Sequence, residues 1–254
     1  MSTTATLPAS GLSVWAREPV GADELLVYES DRSPVDAMLA LVGRLVTDAD
    51  GEPVAWSELP AVDLAAAALL VRRVWLGRTI QAEARCPAAG CGEPIDVTFA
   101  IDTYLEHRRR RAFRGLTALE LPWFGLERAD VRFRVPTVGD LTAATGRAAL
   151  VEQCVRPPSV SSAVLRRVER ALDALAPSLD GLLAGTCPVC GAEVELWFAP
   201  IEYVLLELRD ASASLFTQVH ELALAYHWSE PAILGLERRR RHGYVELVRA
   251  DLVA

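Results

Sequence analysis

The chain has 254 residues, 51% of them hydrophobic, so it can bury one large core or two smaller ones without disulfide bonds. All 26 basic residues are arginine, and 34 acidic residues give a net charge of −8, which disfavours nonspecific binding to nucleic acids or anionic lipids. Neither a signal-peptide pattern nor an apolar run near the ~20 residues that cross a membrane occurs, so we expect a cytoplasmic protein without membrane association.

The first 78 residues are predicted to be a disordered start followed by helices. Residues 1–11 are rich in Thr, Ser, Ala and Pro and are expected to be disordered. Residues 12–78 form the predicted N-terminal helical region. Within it, Ser33 is a suitable N-cap and Pro34 a suitable first helical residue, and apolar residues follow at helical spacing. The same spacing recurs in the stretch that ends at Gly77, a residue type that often follows helices.

A β-hairpin with two cysteines follows, and we place the first cysteine hairpin at residues 79–106. The stretch "TIQAEARC" and the residues after Cys91 alternate apolar with polar side chains, which is the period of a strand with one buried face. Cys86 and Cys91 fall at the turn between the strands. Gly92 permits the positive φ that lets backbone amides turn toward thiolate sulfurs.

A second stretch, "TCPVCGAEVELWF", repeats this pattern and marks a second cysteine hairpin at residues 186–200. Cys190 lies 99 positions after Cys91, and at the same offset the glycine, the alternating apolar residues and one acidic residue also match. The cysteine spacing is C-x4-C in the first copy and C-x2-C in the second. The two stretches are therefore predicted to be related hairpins.

The four cysteines of these hairpins are predicted to bind one structural Zn²⁺. Cys86, Cys91, Cys187 and Cys190 supply the tetrahedral set that structural zinc prefers and leave no open position for water. The 95 residues between the two pairs raise the loop-closure cost by ~1.5 kcal/mol, against apparent zinc-binding energies of ~10–16 kcal/mol. Buried free thiols are the alternative, and a disulfide is disfavoured in a reducing cytoplasm. Cys154 is then a spare, small buried residue.

Residues 107–185 separate the two hairpins and are predicted to hold a linker, a short strand and a helical insertion. The linker-like part covers residues 107–128, and "VRFRV" then alternates as a strand until Pro136. Residues 201–254 show helical spacing and form the predicted C-terminal helical region. The whole chain is predicted to be an α+β fold, mainly helical, with small β-hairpins that form a split zinc-ribbon-like module.

The sequence lacks the common catalytic signatures. It has no glycine-rich phosphate loop, no H-E-x-x-H and no G-x-S-x-G element, and its four histidines are scattered. We therefore expect a protein that is not an enzyme. An enzyme whose site is built from residues that the sequence does not pair is a further alternative.

Two arginine runs, Arg108–Arg111 and Arg238–Arg241, raise the question of nucleic-acid binding, because consecutive guanidiniums bind phosphates well. Both runs stand beside acidic residues, few aromatic residues are interleaved with them, and the chain is acidic. A solvated helix face or a protein docking surface is therefore favoured. The alternative, a zinc-ribbon nucleic-acid-binding regulatory protein, requires Arg108–Arg111 to line a groove beside the cysteine turns.

Several stretches together resemble a known family. Trp15 followed by "SPVDAMLAL", then "LPAVDLAAAALLVRRVWLGRTIQAEARCP", "VRFRVPTVGDL", "CPVCG" and "LAYHWSEPAILGLERRRRHGYVELV", resemble T4-like phage baseplate hub assembly proteins and chaperones. That family belongs to contractile phage tails and phage-derived contractile injection systems. The resemblance covers most of residues 12–250, and its most distinctive element is the terminal stretch. The C-x4-C spacing of the first knuckle departs from the C-x2-C expected there.

The resemblance implies a non-enzymatic role as an assembly factor or minor structural component of the baseplate hub. The implied partners are hub, spike or other tail proteins. We place partner binding in the segment from Tyr226 to Val248, where Trp228 and Tyr244 are large aromatic anchors and Arg238–Arg241 suit an acidic partner surface. The alternative is that both aromatic residues close the core of the last two helices.

Overall fold

The computed structural model describes residues 3–114, 116–118 and 122–251. Helices and sheets are mixed along the chain, which confirms the predicted α+β class, and the described residues form four antiparallel sheets. The largest apolar core lies among the helices that flank the two cysteine hairpins. Three smaller clusters fill the insert between the hairpins, the space between the cysteine turns, and the C-terminal helices.

The N-terminal region contains a small sheet as well as the predicted helices. Its elements are β1 (Thr3–Thr6), β2 (Ser13–Ala16), α1 (Gly21–Tyr28), α2 (Pro34–Leu45), β3 (Val46–Asp48), a 3-10 turn (Trp56–Glu58) and α3 (Ala61–Leu76). The strands form an antiparallel sheet in the order β1–β2–β3. Helix α2 begins as predicted, because the Ser33 hydroxyl accepts a hydrogen bond from the Asp36 amide.

The prediction that residues 1–11 are disordered is wrong for the residues described there. Strand β1 pairs with β2 along its whole length. The buried carboxylate of Asp63, in α3, accepts hydrogen bonds of 2.8 Å from the backbone amides of Ala9 and Ser10. A carboxylate 54 positions away from Ala9 thus orders a segment whose composition alone suggested disorder.

Each cysteine hairpin is followed directly by a helix. The elements are β4 (Thr79–Arg85), β5 (Pro94–Ala100) and α4 (Ile101–His107) for the first hairpin, and β10 (Gly181–Thr186), β11 (Glu193–Phe198) and α8 (Pro200–Ser212) for the second. The first hairpin begins at the predicted residue but ends at Ala100, because residues 101–106 of the predicted range lie in α4. The second begins at Gly181, upstream of the predicted boundary at residue 186. Strand β10 was missed because its two glycines weaken the strand signal.

The residues between the hairpins form a sheet with helices and a core of its own. The elements are β6 (Leu116–Ala118), β7 (Phe124–Leu126), β8 (Ala129–Phe133), α5 (Val138–Ala143), α6 (Arg147–Cys154), β9 (Val155–Arg156) and α7 (Ser162–Leu175). The sheet order is β6–β7–β8–β9. We predicted one short strand here, but the linker-like residues 107–128 also include β6 and β7, which are too short to show a period of two. Gly115 and residues 119–121 lie outside the described residues.

The C-terminal region is helical, as predicted. Helix α8 is followed by α9 (Leu215–Tyr226), α10 (Glu230–Leu234) and α11 (Arg238–Asp251), and residues 252–254 lie outside the described part. Helix α3 packs against α8 at the centre of the main core, where every residue from Leu64 to Val71 is buried. Arg72 joins these helices to the first hairpin, because its guanidinium donates to Glu207 at 2.9 Å and to the carbonyls of Gly77 and Thr79 at 2.7 Å.

Candidate metal centre

The two cysteine hairpins are copies of one unit, and the likeness continues into the helix after each hairpin. At the offset of 99 positions, Phe99 matches Phe198 and Tyr104 matches Tyr203. The four rings form one cluster, in which the Phe198 centroid lies 5.3 Å from Phe99, 5.2 Å from Tyr104 and 5.3 Å from Tyr203. This cluster holds the bases of the hairpins together. The sequence shows this repeat as "FAIDTY" and "FAPIEY", but the sequence comparison stopped at the residues next to the cysteines and did not include it.

The cysteine turns meet at the other end of the hairpins. Ile95 and Val194, one from each inner face, pack with Cys86 and Cys187 in a small apolar cluster. Both turns close in the same way, because the amide of the first cysteine donates a 2.9 Å hydrogen bond to the residue after the glycine. That glycine has a positive φ in each copy, 67° in the first and 72° in the second. Equivalent local geometry therefore presents two sulfurs from each hairpin.

The four sulfurs form a compact group. The Sγ of Cys86 lies 3.7 Å from that of Cys190, and the Sγ of Cys91 lies 3.9 Å from that of Cys187. All four lie within 4.8 Å of one another. A tetrahedron with metal–sulfur bonds of ~2.3 Å has edges of ~3.8 Å. The cluster therefore has the size and the donor chemistry of a metal site, at the four cysteines that the sequence predicted.

These cysteines are not joined by disulfides. All are free thiols, and the 3.7 Å between the sulfurs of Cys86 and Cys190 is far longer than the ~2.05 Å of a disulfide bond. Cys86 and Cys187 are buried, Cys91 is half-buried and Cys190 is exposed. The cluster thus lies between the hairpins with one edge at the protein surface.

Backbone amides and burial act in opposite directions on these thiols. The amides of Cys190 and Val189 donate to the Cys187 sulfur and lower the pKa of its thiol to about 7. The Ala88 amide lowers the pKa of Cys86, but burial and the neighbouring thiols outweigh it and raise that pKa to about 12. Four crowded thiolates repel one another, so one ionises at the expense of the others. A divalent cation removes this repulsion, and the donor set therefore suits a bound metal.

The fifth cysteine lies apart from this group. Cys154 is buried at the end of α6, and its Sγ lies 3.7 Å from the carboxylate of Asp140. Burial raises the pKa of the Cys154 thiol to about 11. The Arg134 guanidinium, aided by Thr137, lowers the pKa of the Asp140 carboxyl to about 2. Cys154 therefore belongs to the core and polar contacts of the insert.

The second arginine run does not form the continuous surface that we expected. Arg239 and Arg240 are exposed, whereas Arg241 is fully buried and Arg238 is half-buried. The buried carboxylate of Glu24, in α1, pairs with Arg241 at 2.5 Å and with Arg238 at 2.8 Å. Four consecutive residues of a helix are spread over about 300° around its axis, so they do not share one face. Two of the four arginines therefore tie α11 to the N-terminal region.

The two predicted aromatic anchors pack against each other. The Trp228 ring lies 5.0 Å from the Tyr244 ring and stacks on Tyr226 at 4.9 Å. Trp228 and Tyr244 are half-buried and lie against the apolar cluster formed by Leu222, Ile233 and Val245. This packing favours the alternative that both rings close the core of the C-terminal helices.

The first arginine run lies at the base of the hairpins, away from the cysteine turns. The Arg108 guanidinium rests against Gly181 at the start of β10 and lies over the Tyr104 ring, 5.6 Å from its centroid. Strand β10 then separates Gly181 from Cys187 by about 20 Å at the usual rise per residue. Arg108 therefore lies away from the turns, whereas the nucleic-acid alternative requires Arg108–Arg111 to line a groove beside them.

No helix in the described part of the chain is long and apolar enough to span a membrane. Comparisons of the chain with protein-family models, with curated proteins and with solved structures found no match. The role of the protein is therefore inferred from its own residues and contacts and from the resemblance of the stretches quoted above.

Proposed function

We propose that Cys86, Cys91, Cys187 and Cys190 bind one structural Zn²⁺ that fastens the two hairpins into a split zinc-ribbon-like module. The observation that carries this proposal is the pair of short sulfur–sulfur distances, 3.7 and 3.9 Å, because each joins one hairpin to the other. Zinc is the usual ion of closed tetrahedral thiolate sites in proteins. Four thiolates leave no position for water, so the ion stabilises the fold and does not activate a substrate.

We further propose that the protein is a non-enzymatic assembly factor or minor structural component of the baseplate hub of a contractile phage-tail-like particle. The family resemblance of residues 12–250 supports this role. The closed metal centre agrees with it, because such a centre holds chain segments together and offers no reacting group. The proposed partners are hub, spike or other tail proteins, met in the cytoplasm.

Within the C-terminal segment, two arginines are available to such a partner. Arg239 and Arg240 are exposed on α11, and Arg240 lies over the Tyr244 ring, 5.8 Å from its centroid. Trp228, Arg238 and Arg241 make internal contacts that shape this surface. We therefore keep Arg239 and Arg240 as the proposed basic contacts for an acidic partner.

Metal analysis of protein purified without chelator tests the zinc proposal. We expect one zinc ion per chain and loss of that zinc in the Cys187→Ser variant. Cys154→Ser is the matched control, because it changes a buried cysteine outside the cluster and should keep the metal. Substoichiometric zinc that Cys187→Ser does not change would contradict the proposal.

Deletion of the gene in its native host tests the assembly role. We expect tail-like particles, counted by electron microscopy, to be lost or strongly reduced, and to return with the wild-type gene. The double variant Arg239→Gln, Arg240→Gln changes exposed side chains and should fold normally. Normal particle numbers in the deletion strain would refute the assembly role. Normal numbers with the double variant alone would refute only the basic contacts.

A further inference from the structure

The outer face of the second hairpin, turned away from its inner-face contacts with the first hairpin, carries two large apolar side chains. Leu182 and Trp197 stand opposite each other in the register of β10 and β11. Leu182 is 50% exposed and Trp197 is 69% exposed. Opposite residues of a strand pair have Cβ atoms ~4.5–5.5 Å apart, so these two side chains form one continuous apolar surface.

The first hairpin is an internal reference for this surface. The β4–β5 register places Gln81 opposite Thr98, at the positions that correspond to Leu182 and Trp197. The two hairpins share their inner-face pattern, their turn geometry and their aromatic cluster, yet the first hairpin has a polar outer pair. The fold and the metal centre therefore do not require an apolar pair at these positions. An exposed apolar patch that the fold does not require marks an interaction site.

Carboxylates surround the apolar pair. Glu193 and Glu195 are exposed on β11, Asp180 is exposed directly before β10, and Glu202 is exposed in the first turn of α8. Partial burial raises the pKa of Asp180, and the nearby Glu202 carboxylate raises it further. Among the ion pairs of the described residues, none involves these four carboxylates.

We propose that this outer face, Leu182 and Trp197 with the surrounding carboxylates, is a docking surface for a partner-protein segment that carries Arg or Lys beside apolar side chains. The proposal rests on the assembly role above and names the chemistry of the partner. Leu182 and Trp197 supply the apolar centre that is typical of binding hot spots, and the carboxylates supply a rim that selects a basic partner. A second copy of this chain is a poorer occupant, because a two-fold contact places the same carboxylates against each other.

Site-specific photo-crosslinking in the native host tests this surface. Para-benzoylphenylalanine replaces Leu182 in one full-length variant and Gln81, its counterpart, in another. We expect adducts from position 182 and ~10-fold fewer from position 81, because the partner contacts the outer face of the second hairpin and not that of the first. Mass spectrometry should place the link in another protein, within a few residues of Arg or Lys. No adduct, equal adducts from both positions, an acidic linked segment, or a link to a second copy of this chain would overturn the proposal.

A paired substitution separates this surface from the assembly role. Leu182→Gln with Trp197→Thr gives the second hairpin the outer pair of the first, and Thr98→Ala is a matched control on the first hairpin. In the deletion strain we expect the double variant to restore ~10-fold fewer particles than the control, while both proteins keep wild-type zinc content. Full restoration by the double variant overturns the surface and leaves the assembly role intact. A deletion without effect on particles overturns the assembly role, and the crosslinking experiment then decides the surface independently.

Discussion

The two cysteine hairpins have closely similar inner sides and opposite outer sides. On the inner side, apolar residues of both hairpins pack around the cysteines, and the two turns have the same closing hydrogen bond. Outside, the first hairpin pairs Gln81 with Thr98, and the second pairs Leu182 with Trp197. The features that the copies share are therefore those that the module needs to fold and to hold the ion that we propose. The module does not need the features in which they differ, and we propose that these features serve to bind a protein partner.

The cysteine turns differ in length but present their sulfurs alike. Four residues separate the cysteines of the first hairpin and two separate those of the second. Even so, Gly92 and Gly191 adopt φ values of 67° and 72°, and all four sulfurs lie within 4.8 Å of one another. The longer turn accommodates its two extra residues without moving a sulfur out of the group. The C-x4-C spacing is therefore compatible with a four-sulfur site.

The largest expected effect is loss of the proposed ion, which tests whether the two hairpins depend on each other. In Cys187→Ser we expect amide protection to fall in residues 79–100 as well as in 181–198, because an isolated hairpin is only marginally stable. Structural zinc binding of ~10–16 kcal/mol exceeds or matches the ~5–15 kcal/mol stability of a typical domain. Hydrogen exchange measures this effect, and Cys154→Ser provides the control. Full protection of residues 79–100 in Cys187→Ser would show that the first hairpin stands alone.

The next prediction asks whether the two phenylalanines of the aromatic cluster, Phe99 and Phe198, contribute equally to stability. Phe198 is buried and contacts three rings, whereas Phe99 is half-buried and contacts two. We expect Phe198→Ala to lower the free energy of unfolding by ~3–5 kcal/mol and Phe99→Ala by about half as much. Urea denaturation measures both values. Equal losses, or a larger loss at Phe99, would mean that the second copy does not dominate this cluster.

A smaller effect on stability is expected when the tyrosine of either copy, Tyr104 or Tyr203, loses its hydroxyl. The Tyr104 hydroxyl donates a hydrogen bond to the Leu179 carbonyl in a buried setting. We expect Tyr104→Phe to cost ~1–3 kcal/mol, because it leaves that carbonyl without its donor. Tyr203 lies beside Glu207 instead, and burial with this carboxylate raises the pKa of its hydroxyl to about 12. Tyr203→Phe should cost less than Tyr104→Phe in the same urea denaturation, and the reverse order would contradict this assignment.

The smallest expected effect concerns the outer pair, whose replacement should leave the free energy of unfolding almost unchanged. Leu182→Gln with Trp197→Thr should change the free energy of unfolding by no more than ~0.5 kcal/mol, because both side chains are largely exposed. Zinc content should stay unchanged. Thermal and urea denaturation measure the first quantity, and metal analysis the second. A loss of ~2 kcal/mol or more would make the pair part of the fold and would remove the basis for the docking surface.

The cysteine hairpins and the flanking helices were predictable because their signals act over a few residues. The alternation of β5, the Ser33 cap of α2 and the glycine after each second cysteine are all local preferences of the backbone. The four-cysteine cluster followed from the match between two such local patterns. Strand β10 and the short strands of the insert were missed, because glycines and two- or three-residue strands give no readable period.

The sequence by itself determined the local units of this protein: which stretches become hairpins, which become helices, and which four cysteines share a pattern. Only the tertiary structure decided how these units face one another. Glu24 lies 217 positions from Arg241, so nothing in the arginine run predicts that this member of it is buried. Alternation likewise assigns Trp197 to one face of its strand but does not say whether a neighbour covers that face. Burial depends on contacts between segments far apart in sequence, and local pattern carries no information about those contacts.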